Sequence, residues 1–70
     1  MGNEPKLLKN NLKMLRAQLG LTQAELANQV KVTRKTINTV ENNVFVPSTI
    51  LALKLSEALE VPVEEIFYLS

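Results

Sequence analysis

An all-α fold, a compact bundle of five short helices, follows from three features of the sequence. Apolar residues recur at helical spacing in several short windows. Most windows open on a residue suited to a helix start, namely Pro5, Thr22, Thr33 and Ser48. They close on residues that end helices or break the chain: Gly20, the Lys31–Val32 step, Asn43 and Val61–Pro62. With 70 residues and no repeats, linkers or low-complexity tracts, a single domain over residues 1–70 is expected.

The first helix is predicted from Pro5, whose missing N–H suits a first turn. Leu8, Leu12, Leu15 and Leu19 then fall at i, i+4, i+7 and i+11, one apolar stripe that Gly20 terminates. Lys9, Lys13 and Arg16 flank the stripe, the lysines as a solvated face. Leu7 and Met14 form a second, smaller strip, either packed on the C-terminal segment or half exposed.

The second helix begins with a capping box, Thr22 followed three residues later by Glu25, and runs from Gln23 to about Val30. Ala24, Ala27 and Val30 recur at helical spacing, and Leu26 and Val30 are core candidates. Ala27 is short enough to sit where two helices cross closely. After the break at Lys31–Val32, Thr33 caps a third helix, residues 33–42, with Ile37 and Val40 pointing one way. Lys35, Asn38, Thr39 and Asn42 point the other way, with Arg34 on the flank. Two short helices joined by a tight turn, the second polar and basic on its outer face, make a helix-turn-helix able to read DNA.

Asn43 tolerates the left-handed backbone that ends a helix. Val44-Phe45-Val46 is apolar where a surface loop should be polar. Either Phe45 folds back on the core with the valines beside it, or the loop is a subunit contact. Ser48 caps a fourth helix from about Thr49 to Leu59, with Ile50, Leu51, Leu53, Leu55 and Leu59 mostly inward. That run has too few turns for a coiled coil. Beyond Val61–Pro62, Glu64 and Glu65 favour the first turn of a short fifth helix, and Ile66 and Phe67 should bury. The role of Tyr68 and Leu69 is open at this point.

Composition excludes more than it selects. There is no cysteine, histidine or aspartate, and the acids are seven glutamates. Disulfides, thiolate metal sites and nucleophile–base pairs built on Cys or His are therefore ruled out. No enzyme, metal or cofactor is expected. No apolar run approaches the ~20 residues of a membrane span, and no signal peptide is expected at the N-terminus. Met1–Gly2 lacks the Ser or Thr that myristoylation needs, Lys6 standing there instead. A cytoplasmic protein is expected. Net charge is only +1, but residues 1–42 carry seven Lys/Arg against three Glu, a balance of +4. Residues 43–70 carry Lys54 against four Glu, a balance of −3. The basic half holds the recognition motif, as a footprint on nucleic acid requires.

Arg16-Ala17-Gln18-Leu19-Gly20-Leu21-Thr22-Gln23, Ala24-Glu25-Leu26-Ala27, Thr33 through Asn42, Pro47-Ser48 and Val61 through Phe67 together resemble the Cro and phage-repressor (XRE) family. The resemblance covers about residues 8 to 68. It implies a lambda-repressor-like DNA-binding fold and sequence-specific recognition of double-stranded DNA by a transcriptional regulator, a repressor. Arg34, Lys35, Asn38 and Thr39 are the expected base contacts; Gln23, Thr33, Thr36 and Asn42 are the expected backbone contacts. It further implies a homodimer, at least on DNA, with no membrane partner and no small-molecule effector. An Arg16–Glu41 pair between the first and third helices is also implied. Lys31 departs from the glycine usual in the family's turn, so an unchanged turn would put Lys31 in a left-handed conformation at a cost of roughly 1 kcal/mol. The alternative is a protein-interaction module on the same fold, such as an antitoxin or adaptor.

Overall fold

The computed structural model describes residues 6–70; Pro5 and Met1–Gly2 lie outside that range. The chain runs β1 (Leu8–Asn10), α1 (Leu12–Gln18), α2 (Gln23–Val30), α3 (Arg34–Glu41), α4 (Thr49–Leu59), α5 (Val63–Ile66) and β2 (Phe67–Leu69). The five expected helices are present, and a two-stranded antiparallel ribbon ties the chain ends, pairing Leu8 with Leu69, Lys9 with Tyr68 and Asn10 with Phe67.

The ribbon corrects the expected first helix. Leu8 lies in β1, so the stripe begins at Leu12 rather than Leu8. Hydrogen bonding explains the late start. An earlier helix would need the Leu12 N–H to reach the Leu8 carbonyl, but the Asn10 side-chain oxygen accepts that N–H at 3.0 Å. The Asn11 N–H instead crosses to the Ile66 carbonyl at 2.8 Å, and the Ser70 N–H reaches the Leu7 carbonyl at 2.9 Å. Of the predicted stripe, Leu12 is buried, Leu15 is half-buried and Leu19 is exposed; Leu7 and Met14 are exposed too.

The core is Leu12, Leu26, Ala27, Val30, Ile37, Val40, Leu51, Leu55, Leu59 and Ile66. Full burial of each Leu or Ile contributes roughly 1.5–3 kcal/mol. Of the five α4 residues expected to be mostly inward, Ile50 and Leu53 face out. Only one stripe of α4, Leu51–Leu55–Leu59, touches the core, because an eleven-residue helix laid over a core this small buries one narrow face. Phe67 is half-buried in β2, and Tyr68 and Leu69 form its exposed end.

Four helices end on a left-handed residue: Gly20, Lys31, Asn43 and Glu60, with φ of 69°, 60°, 60° and 57°. Each is closed by a six-residue backbone loop in which the next N–H reaches back to the helix: Leu21 to Arg16, Val32 to Ala27, Val44 to Thr39 and Val61 to Ser56. Lys31 therefore keeps the turn geometry with a side chain where glycine has none.

Candidate nucleic-acid interface

Both helices of the motif start from side-chain caps. Thr22 and Glu25 form both bonds of the capping box, at 3.0 and 2.9 Å. Thr33 accepts the Thr36 N–H at 3.2 Å and starts α3. Ile37 and Val40 bury one face of α3, which turns Arg34, Lys35 and Asn38 to solvent.

Arg16 and Glu41 lock the motif to α1. The Arg16 Nε donates to Glu41 Oε2 at 2.7 Å and an Arg16 Nη to Glu41 Oε1 at 3.3 Å, the expected pair in two-pronged form. The side chains are 13 % and 3 % exposed. The third guanidinium nitrogen, Nη1, donates to the Leu21 carbonyl at 2.7 Å, so one guanidinium holds both the lead-in to α2 and the end of α3. Glu41 Oε1 also accepts from Gln23 Nε2 at 3.0 Å. The family resemblance implies that Gln23 braces a side chain of the third helix, and the structure identifies that side chain as Glu41.

Seven of the eight candidate contact residues line two grooves that share Lys35. Gln23, Arg34, Lys35 and Asn38 line one concavity between the start of α2 and the outer face of α3. Thr33, Lys35, Thr36 and Thr39 line a second groove, which Val44 and Phe45 close from the following loop. Asn42 sits behind Asn38: its amide nitrogen donates to the Asn38 carbonyl at 2.9 Å and to Asn38 Oδ1 at 3.2 Å. Thr39 is half-buried, and its hydroxyl donates to the Thr36 carbonyl at 2.9 Å. Every charged side chain lining either concavity is a cation.

The apolar loop divides. Val44 and Phe45 have their N–H groups on the Thr39 carbonyl, at 2.9 and 3.2 Å, which fixes the loop against α3. Val46 and Pro47 turn to a different groove, lined also by Leu8, Val40, Asn43 and Phe67, with Phe45 between the two. Asn10 braces this corner from β1, donating from its amide to the Val40 carbonyl at 2.9 Å and to Asn43 Oδ1 at 3.0 Å. Its role was not legible beforehand, because it depends on a ribbon pairing between the two chain ends.

Among the described residues no helix is long and apolar enough to cross a membrane. The profile of the Helix-turn-helix family matches residues 12–66. An uncharacterised HTH-type transcriptional regulator of Bacillus subtilis, YgzD, is 42 % identical over 62 residues, covering 89 % of this chain and 94 % of that protein. The restriction-modification controller protein C.AhdI of Aeromonas hydrophila superposes with a TM-score of 0.73 at 33 % identity, over 77 % of this chain and 82 % of that one. A crystal structure from Bacteroides fragilis superposes with a TM-score of 0.80 at 26 % identity, over 89 % of this chain and all of that one.

Proposed function

The chain belongs to the helix-turn-helix family of Cro and phage-repressor (XRE) type, and on that premise we propose that it is a sequence-specific double-stranded DNA-binding repressor reading the major groove with α3. The observation that carries the reading is the gathering of Gln23, Arg34, Lys35 and Asn38 at one concavity whose only charges are positive. Cations there neutralise phosphate and release counterions, which supplies affinity. Arg34 and Lys35 donate to guanine O6 and N7, Asn38 pairs with adenine N6 and N7, and the Thr39 methyl packs on a thymine methyl. Gln23, Thr33 and Thr36 serve the phosphates, and Asn42 serves them while bracing Asn38.

One recognition helix covers only a few base pairs, so two copies act as a twofold dimer on DNA. The contact is the loop 44–46 on its Val46 side, with the exposed Tyr68–Leu69 end of β2. The protein works in the cytoplasm as one domain, with no cofactor or small-molecule effector. A retardation assay on random-sequence duplex at low salt tests the reading: a salt-sensitive shift is expected. Complete failure to bind would favour the interaction-module alternative.

A further inference from the structure

We infer that the groove between α3 and the loop after it is a subsite for the C5-methyl group of a thymine, with Val44 as its outer wall; this rests on the DNA-binding reading above. Thr33, Thr36 and Thr39 would make a polar groove if their hydroxyls pointed freely to solvent. They do not. The Thr39 hydroxyl is bonded to the Thr36 carbonyl at 2.9 Å. The Thr33 and Thr36 hydroxyls bond each other at 3.0 Å, and Thr33 Oγ1 also accepts the Thr36 N–H. That pair has one proton left for a phosphate, and with the hydroxyls otherwise engaged the rest of the lining, Val44 and Phe45 included, is mainly carbon. Val44 and Phe45 complete the wall, held by their N–H bonds to the Thr39 carbonyl. Val44 is 77 % exposed, so its side chain is open to an incoming group rather than folded on the core.

The occupant follows from what a duplex can present there. Lys35 lines this groove and the cationic concavity alike, so the two form one continuous face against the DNA. The major groove displays donors, acceptors and a single kind of apolar group in unmodified DNA, the thymine methyl. A groove lined by Thr39, Val44 and Phe45 beside a base-reading helix, with the Thr39 hydroxyl already engaged, fits that group. Val44 thus adds discrimination from outside α3, at a base pair next to the one that Lys35 reaches.

The test takes a duplex selected from a random library and replaces each thymine singly with deoxyuridine, which removes only the methyl. Affinities are measured for the unaltered protein and for Val44→Ala. For the unaltered protein, one thymine per half-site should show about a fourfold loss on replacement, the value of burying one methyl. In Val44→Ala that loss should shrink toward none, while the other thymines respond as before. Val44 is solvent-exposed, so its truncation leaves the core intact, and a matching thermal midpoint checks this. Equal binding of every deoxyuridine duplex, or unchanged deoxyuridine penalties in Val44→Ala, would overturn the subsite while leaving DNA binding standing. Failure of the unmodified duplex to bind would instead overturn the functional reading itself.

Discussion

Glu41 is the residue on which the motif turns. Its carboxylate is almost fully buried and holds Arg16 with one oxygen and both Arg16 and Gln23 with the other. Removing either charged partner strands the other, at a cost of about 3 kcal/mol. Arg16→Met and Glu41→Gln should therefore be strongly non-additive in a double-mutant cycle read by denaturant midpoints; additive losses would mean the pair carries no coupling. Function divides at the same scale. Arg34→Ala should cost about 1–3 kcal/mol on a selected site and relax the preference at one base pair. Gln23→Ala should weaken all duplexes about equally with little change in salt slope, since Gln23 carries no charge and a phosphate contact no sequence information. Equal losses on selected and scrambled duplexes for Arg34→Ala would make Arg34 a backbone contact. Arg16–Glu41 was legible from the family resemblance and from the inward place of Glu41 on its helix, where an unpaired carboxylate is costly. The resemblance also marked Gln23 as a brace for α3, but not Glu41 as the side chain it holds, because nothing local marks which residue eighteen positions on will face it.

Helix ends show how far local sequence reaches. Gly20 and Asn43 announce left-handed stops by residue type, whereas Glu60 does so only through its backbone, φ 57°. Its neighbour Val61 is drawn back onto the core and closes the loop whatever stands at position 60. Lys31→Gly and Glu60→Gly should each stabilise the fold by ~0.5–1 kcal/mol, relief of left-handed strain outweighing the added freedom of the unfolded chain. Unchanged or lowered denaturation midpoints would contradict this. The start of α2 adds a pH dependence. Hydrogen bonding from the Thr22 backbone N–H, and then from its side chain, holds the Glu25 carboxyl below its ordinary range. A lowered folded-state value means the stabilisation is present above the unfolded value, about 4.3, and is lost as pH falls through the folded one. Glu25→Gln should accordingly lose less stability than the parent on acidification below about pH 4.5; an identical acid limb would exclude the capping box as its source. The ribbon was the element that the sequence concealed. A leucine spacing compatible with a longer helix overlay a strand whose partner lies at the far end of the chain, and three-residue strands carry no periodicity of their own.

At the scale of the whole molecule, the acidic side chains of the C-terminal half gather on and beside α4 and α5, with Lys54 the cation among them. Glu57, Glu60, Glu64 and Glu65 are all exposed on or beside α4 and α5, while Arg34 and Lys35 stand out from α3. A duplex would hold the molecule with the acidic end turned away, since the same phosphates that attract the α3 cations repel the glutamates. The apolar surface that this orientation leaves off the DNA runs from Val46 to α4, where Ile50 and Leu53 are 69 % and 55 % exposed. Val46, 68 % exposed, and the Tyr68–Leu69 end of β2, 46 % and 61 % exposed, are the positions proposed above as the subunit contact. A second copy related by a twofold axis would cover them and set the two α3 helices in successive major grooves, about 34 Å apart. The protection pattern on a selected duplex should then be two related half-sites separated by about one helical turn, and Val46→Glu should abolish the second half-site without preventing weak, salt-sensitive binding to the first. Protection of one half-site of about five base pairs by the unaltered protein, with no twofold-related partner, would sink the dimer while leaving the roles of Arg34, Lys35 and Asn38 to be judged by their own variants.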